Sequence, residues 1–200
     1  MEIWEIKSRS VEETEALGEA LGQAAKSGDV ITLDGDLGAG KTAFTRGLAR
    51  GMGLRSRVTS PTFTIVNEYN DANGVAKLFH FDTYRLSSSD DFYDAGLDEY
   101  FDRDGVCAIE WSSVIEDALP EDRIAISISG TGDERTIKIC YSAKDQGKID
   151  EVKKQLDMKY TEIEKADESE KADESENADE SEKADEAEKA DEAEEGGKKV

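Results

Sequence analysis

Residues 35–42 read Gly-Asp-Leu-Gly-Ala-Gly-Lys-Thr, an unbroken string of the form G-x-x-x-x-G-K-[ST]. The string commits its surroundings to one arrangement. The run before it, Val30-Ile31-Thr32-Leu33-Asp34, is apolar and β-branched and predicts a buried strand. The run after it, residues 43–50, sets Phe44, Leu48 and, less well, Met52 on one helical face. A strand, a glycine-rich turn and a helix N-terminus together make an anion site. The turn amides converge on phosphate oxygens, and the helix dipole adds partial positive charge. Lys41 can reach the β- and γ-phosphates of a nucleotide, and Thr42 offers a hydroxyl to magnesium. The candidate nucleotide contacts are therefore Asp36, Leu37, Gly38, Ala39, Gly40, Lys41, Thr42 and Ala43. The expected ligand is a nucleoside triphosphate with a magnesium ion.

The foldable part of the chain is shorter than its 200 residues. From Lys165 to Glu194 a six-residue unit recurs five times, as Lys-Ala-Asp-Glu-Ser-Glu and close variants. Residues 165–200 hold 16 acids and 6 lysines, a large share of the chain's net charge of −23. No side chain of the repeat can anchor a core, so a solvated acidic tail is expected. A six-residue period builds no continuous apolar stripe, which argues against a coiled coil. The expected organisation is one domain over residues 1–160 and a disordered, low-complexity acidic tail over 161–200. Such acidity disfavours extensive direct nucleic-acid binding, and Arg46, Arg50, Arg55 and Arg57 form the one short basic cluster. Cys107 and Cys140 sit within apolar runs and read as small core hydrophobes in a reducing compartment. No signal peptide opens the chain and no apolar run is long enough to span a membrane, so a cytoplasmic location is expected.

Residues 2–6 alternate like a strand. Ser10 and Glu13 form a capping box that opens a helix with Leu17, Ala20, Leu21 and Ala24 on one face. Residues 62–69 and 75–81 predict an antiparallel hairpin across the Asn73-Gly74 turn. A short helix is expected within residues 88–101 and a buried strand over 105–109. Two more strands follow over 123–129 and 135–141, then a last helix over 145–160. The fold class is α/β: a mixed sheet of the phosphate-loop NTPase type flanked by helices.

A carboxylate at the end of a neighbouring strand completes such a site. Asp82 ends the apolar run Leu78-Phe79-His80-Phe81 and can hold magnesium directly or through water. Glu110 ends Val106-Cys107-Ala108-Ile109 and can orient or deprotonate a water, or complete the metal shell. The metal candidates are Thr42, Asp82 and Glu110. In Thr59-Ser60-Pro61-Thr62-Phe63-Thr64, hydroxyls such as that of Thr62 can contact a γ-phosphate or its metal and rearrange on hydrolysis. His80 alternates with Phe79 and Phe81 and reads as structural. Trp111 reads as a core, stacking or partner-contact residue.

These blocks occur in one order: the loop at 35–42, Phe-Thr-Arg-Gly at 44–47, Thr-Ser-Pro-Thr-Phe at 59–63, His-Phe-Asp-x-Tyr-Arg at 80–85 and Ile-Glu-Trp at 109–111. In that order, across about Trp4 to Tyr141, the chain resembles the TsaE (YjeE) family, P-loop ATPases of bacterial tRNA threonylcarbamoyladenosine synthesis. The resemblance implies weak magnesium-dependent ATPase activity, with ATP and Mg2+ as cofactors. It implies a TsaB–TsaD heterodimer as partner, in which TsaD transfers threonylcarbamoyl to N6 of the adenosine beside the tRNA anticodon. The ATPase supports or resets that machine and is not the transferase. By position it implies catalytic roles for Lys41, Asp82, Glu110 and Trp111, a switch over residues 59–63, and an adenine-side contact near Ser10. Ala43 stands where the family often has a second threonine, which is expected to alter affinity more than chemistry. The repeat tail is not a family feature.

Two other readings share the loop. A small-molecule kinase would need an acceptor pocket and usually an arginine-rich lid, yet residues 87–101 contain no arginine. A non-enzymatic nucleotide-gated adaptor would bind ATP with hydrolysis incidental. For the tail, truncation after Glu164 is expected to leave the melting temperature unchanged, because the deleted repeat has no apolar side chain larger than alanine. Thermal melts of both lengths across a salt series check this, and a large drop would show that the tail packs on the domain.

Overall fold

The structure, a computed structural model, describes residues 1–158, and Met1–Leu156 form one compact unit. The acidic tail expected over 161–200 lies outside the described residues.

β1 (Glu2–Ser8) leads into α1 (Val11–Ala24), whose N-cap is Ser10. The expected capping box forms with one change. Ser10 Oγ accepts from the Glu13 amide at 3.2 Å, but the Glu13 carboxylate takes the amide of Arg9, not that of Ser10, at 2.7 Å. β2 (Val30–Asp34), the glycine-rich turn and α2 (Lys41–Gly51) follow as the spacing predicts.

The hairpin of β3 (Val66–Asn70) and β4 (Ala76–Asp82) is antiparallel. Its turn is closed by the Asp71 carboxylate, which accepts from the amides of Asn73 and Val75 at 2.8 and 3.0 Å. The first strand is shorter than the expected 62–69. The amides of Thr64 and Ile65 fold back onto the Pro61 carbonyl at 3.0 and 2.7 Å, and Ile65 has φ 65°. Residues 61–65 are thus a turn that ends the segment before pairing starts.

α3 (Ser89–Asp94) and a 3₁₀ turn over Asp98–Asp102 cover the sheet. β5 (Val106–Glu110), a second 3₁₀ segment over Ser112–Ala118, β6 (Ile124–Ser129) and β7 (Arg135–Tyr141) follow. The last helix, α4, is described over residues 146–158; Tyr160, where it was expected to end, lies outside.

The seven strands form one mixed sheet in the order β1-β7-β6-β2-β5-β4-β3. β4, β5, β2 and β6 are parallel neighbours, while β1, β7 and β3 pair antiparallel. Alternation then divides the central strands. Val30, Phe79, Phe81, Cys107 and Ile109 face one core with Phe92, Leu97 and Ile115. His80, Asp82, Ala108 and Glu110 are left on the opposite face, with α2. Burial pushes the Cys107 thiol up to about 12, consistent with an inert core residue. Both cysteines are free, but Cys140 is only half-buried and not a full core position as expected.

α1 and α2 touch backbone to backbone. A Cβ on Gly18 would lie 2.2 Å from the Phe44 carbonyl oxygen, and one on Gly47 would lie 2.0 Å from that of Glu15. One turn further along, Gly22 and Gly51 repeat the contact. The approach also lets Arg46 and Arg50 bond Glu15 and Glu19, so half of the basic cluster read from the sequence is spent on internal ion pairs.

Alanine is the better helix former by about 1 kcal/mol. Even so, Gly18→Ala and Gly47→Ala are each expected to destabilise by about 1–3 kcal/mol, the cost of overpacking. Denaturant titration measures this, and a stabilised variant would refute the contact.

Candidate functional site

The parallel register sets Asp82 of β4 beside Glu110 of β5, and Leu33 of β2 on the other side of Glu110. The loop leaves β2 at this same edge. A cavity of about 630 Å³ opens there, lined by the loop, Val11, Ser60, Thr62, Asp82, Tyr84, Glu110 and Trp111.

α2 begins at Gly40, whose φ of 112° lies in the left-handed region that favours glycine, and no side chain caps the helix. Its first-turn amides and dipole therefore face the cavity. Lys41 is buried. Its Nζ donates to the carbonyls of Gly35 and Asp36 at 2.6 and 3.0 Å and lies 3.9 Å from the centroid of the Trp111 ring. Burial pushes this ammonium below the usual lysine range, against the upward pull of Glu110, Asp82, Asp34 and Asp36.

Thr42 Oγ1 donates to Glu110 Oε1 at 2.8 Å. The same carboxylate oxygen accepts from His80 Nε2 at 2.8 Å. His80 is fully buried and its Nδ1 has no partner, so the structural residue read from the sequence is a half-satisfied contact of the site's carboxylate. The sequence shows only that His80 and Asp82, two apart on a strand, share a face; the contact with Glu110 needs the pairing of β4 with β5. Thr83, not singled out from the sequence, ties the two strand ends together. Its amide and hydroxyl donate to the Glu110 carbonyl, both at 3.1 Å, and its hydroxyl also reaches that of Trp111 at 2.8 Å.

Asp82 is held from the loop between α2 and β3. Its Oδ2 accepts from Ser60 at 3.1 Å and Thr62 at 2.5 Å, and its Oδ1 accepts from the Tyr84 amide at 3.1 Å. The hydroxyls expected to sense a γ-phosphate or metal thus already engage the candidate metal carboxylate. Trp111 is half-buried at φ 63° and packs its ring 5.0 Å from that of Tyr84. Leu37 on the cavity wall and Phe63, next in sequence to Thr62, stand 92% and 85% exposed.

Two expected contacts lie off the cavity wall. Ser10 uses its hydroxyl and carbonyl inside α1's first turn, and the neighbouring Val11 faces the cavity. Asp36 turns its carbonyl to Lys41. Ala43, by contrast, lines the cavity as expected. The arrangement can take an oxyanion together with a hard cation. It offers a bare helix N-terminus for anions, a lysine, and three oxygen-bearing side chains, Thr42, Asp82 and Glu110, at one edge.

The family model described as threonylcarbamoyl adenosine biosynthesis protein TsaE matches residues 8–137. The tRNA threonylcarbamoyladenosine biosynthesis protein TsaE of Bacillus subtilis is 52% identical over 132 residues, which cover 65% of this chain and 81% of that protein. Its namesake from Treponema pallidum is 43% identical, covering 60% of this chain and 87% of that protein. The crystal structure of Bacillus subtilis YdiB superposes with a TM-score of 0.64 at 41% identity, covering 76% of this chain and 95% of that one.

Asp82→Ala removes the acceptor of the Tyr84 amide and of the Ser60 and Thr62 hydroxyls. Amide exchange at Tyr84 is expected to rise roughly tenfold or more, since a hydrogen bond to a charged group contributes about 1.5–3 kcal/mol. Exchange measured by NMR checks this, and unchanged protection would show that Asp82 does not hold the segment.

Proposed function

The chain belongs to the TsaE family, and on that premise we propose that it is a magnesium-dependent ATPase serving threonylcarbamoyl modification of tRNA. One observation carries the reading. The loop lysine and threonine, Asp82 and Glu110 converge on a cavity at the carboxyl edge of parallel strands, below an uncapped helix N-terminus. The substrate is ATP and the cofactor is Mg2+.

The residues divide the work. Lys41 holds its charge on two backbone carbonyls, which leaves it ready to transfer to phosphate oxygens without crossing the cavity. Thr42, Asp82 and Glu110 are the groups that would hold magnesium, which when bound neutralises phosphate charge. The Thr42 hydroxyl is now spent on Glu110. Once it is given up, Glu110 keeps His80 as its fixed partner and gains capacity to accept a proton from a water, or to orient it. Ser60 and Thr62 couple the 59–65 segment to Asp82, so a change in what Asp82 holds moves that segment. Trp111 screens Lys41 from solvent on one side.

The ATPase acts with a TsaB–TsaD pair and does not perform the transfer. The exposed Leu37 on the cavity wall and the exposed Phe63 beside Thr62 suit a site whose nucleotide is covered by a partner. A kinase reading gains nothing from residues 87–101, where Phe92 and Leu97 are committed to the core. Among the described residues no helix is long and apolar enough to cross a membrane.

One pair of variants tests the division of labour. Lys41→Ala is expected to abolish ATP binding in calorimetry. Glu110→Ala is expected to keep binding within a few-fold and to lose hydrolysis, because a water-orienting group acts mainly in the transition state. Unchanged affinity in the first would overturn the placement of the triphosphate. Preserved kcat in the second would make Glu110 a ground-state ligand, whereas a hydrolysis-dead variant that still supports modification over many cycles would favour the nucleotide-gated adaptor.

A further inference from the structure

The phosphate loop is braced from outside by a residue that none of the loop's own sequence pattern includes. Arg135, at the start of β7, sends its Nε to the Ala39 carbonyl at 2.8 Å and its Nη2 to the Gly38 carbonyl at 3.3 Å. Its Nη1 donates to the carbonyls of Gly132 and Glu134, at 2.6 and 2.8 Å, inside its own hairpin turn. The second pair fixes the plane of the guanidinium, so the first pair meets the loop in a set direction. All four acceptors are neutral carbonyls, in a chain that carries 48 acidic residues.

The loop rests on the same hairpin at a second point. A Cβ on Gly35 would fall 2.2 Å from the Ile128 carbonyl oxygen at the far end of β6. The β6–β7 hairpin therefore backs the loop at its first glycine and at its crest.

The consequence follows from the planar trans peptide, in which C=O and N–H point in opposite directions. Holding the Ala39 carbonyl outward against Arg135 turns the Gly40 amide inward. Gly40 lines the cavity and sits at the N-terminus of α2. In the Gly38–Ala39 unit the carbonyl is held by Arg135 and the amide by the Asp36 carbonyl at 3.1 Å, which locks the crest. We propose that Arg135 is a positioning residue that pre-organises the phosphate loop by gripping the Gly38 and Ala39 carbonyls, so that the Gly40 amide is already aimed at the phosphate. Arg135 does this without touching the ligand. The inference rests on the nucleotide reading above. Its chemistry needs a planar fork, because one ammonium cannot serve two loop carbonyls and two turn carbonyls in that geometry.

The test uses the full chain with Arg135→Ala and Arg135→Lys, and Ile139→Val as a core control on the same strand. Binding of Mg·ADP and Mg·ATP is followed by calorimetry, hydrolysis by steady-state kinetics, and the ligand-free proteins by ¹⁵N–¹H spectra. Both arginine variants are expected to bind nucleotide roughly 10- to 100-fold more weakly, the equivalent of losing charged hydrogen bonds. The loss should appear in KM more than in kcat, because Lys41 and Glu110 stay in place. The Ala39 and Gly40 amide resonances are expected to move in the ligand-free protein, while Ile139→Val lowers the melting temperature and leaves affinity and those resonances alone. Wild-type affinity in Arg135→Ala, full rescue by lysine, an equal loss in the Ile139 control, or unmoved Ala39 and Gly40 resonances would each overturn the clamp. If wild-type protein bound no nucleotide, the reading of the site would fall, while the ligand-free spectra would still decide whether Arg135 sets the loop.

Discussion

β5 is buried along its whole length and hydrogen-bonded on both sides to strands that run in its own direction. That pairing sets the site. A parallel neighbour brings its own carboxyl end to the same edge, so the loop after β2, Glu110 after β5 and Asp82 after β4 meet there. Antiparallel pairing at either position would have sent one of them to the opposite edge. A one-residue slip between β4 and β5 would move Asp82 to the other face and bring Phe81 into the cavity. The aromatic core holds that register. Phe79 and Phe81 pack edge-on against Tyr100, at 5.1 and 5.3 Å between ring centroids.

The site is polar on a buried face, and it resolves that conflict internally. Lys41, Thr42, His80, Asp82 and Glu110 would each be costly to bury without partners. They spend their hydrogen bonds on each other and on backbone, as Thr42 and His80 do on one oxygen of Glu110. Asp34 closes the neighbouring corner by accepting from the Ser112 hydroxyl and the Ser113 amide. The side chains of Lys41, Thr42 and Asp82 are thus already held by bonds that a ligand must displace, while the N-terminus of α2 has no side-chain cap. Four carboxylates act on Lys41, so the same acids repel any anion that arrives without a cation.

Local signals carried much of this into the sequence. The strand before the loop, the helix after it, the Ser10 cap, the Asn-Gly hairpin and the two strand-end acids each depend on residues close together in the chain. What stayed hidden depends on pairing between distant segments. His80 reads as structural until β4 is placed beside β5, because only the register shows which carboxylate it faces. Thr83 carries no motif that marks it as the tie between strand ends. Arg135 is one arginine on a late strand, and its grip on the loop exists only after β6 has paired with β2. The shortened β3 is similar: residues 62–65 have strand-forming composition, but Ser60 and Thr62 are drawn to Asp82 and the chain turns to reach it. In each case tertiary contacts overrode or supplied what local preference left open.

Two residues show where the fold gives up backbone comfort to keep the acids in place. Ile65 at φ 65° and Trp111 at φ 63° are the non-glycine residues with positive φ among those described. A β-branched or bulky side chain in that region is unusual, at a cost on the order of 1–3 kcal/mol each. Each sits against one of the site's acids. The Ile65 carbonyl accepts from the Asp82 amide at 2.9 Å, and Trp111 follows Glu110 directly while its own amide bonds back to the Leu33 carbonyl at 3.0 Å. In both places the chain has to leave the sheet abruptly at the strand end. The left-handed residue makes that exit, which in the second case swings the indole over Lys41. Glycine would make either turn without strain, but it could not place a ring beside the lysine or pack against the aromatic core as Ile65 does. The strain therefore lies at the two points where a partner or ligand that shifted Asp82 or Glu110 would first be felt by the backbone. The segment that includes Ile65 is tied to Asp82 through the side-chain hydroxyls of Ser60 and Thr62. Trp111 is tied instead through its own backbone, to the Thr83 hydroxyl and the Leu33 carbonyl, so its left-handed turn is fixed by the strand ends on either side of it.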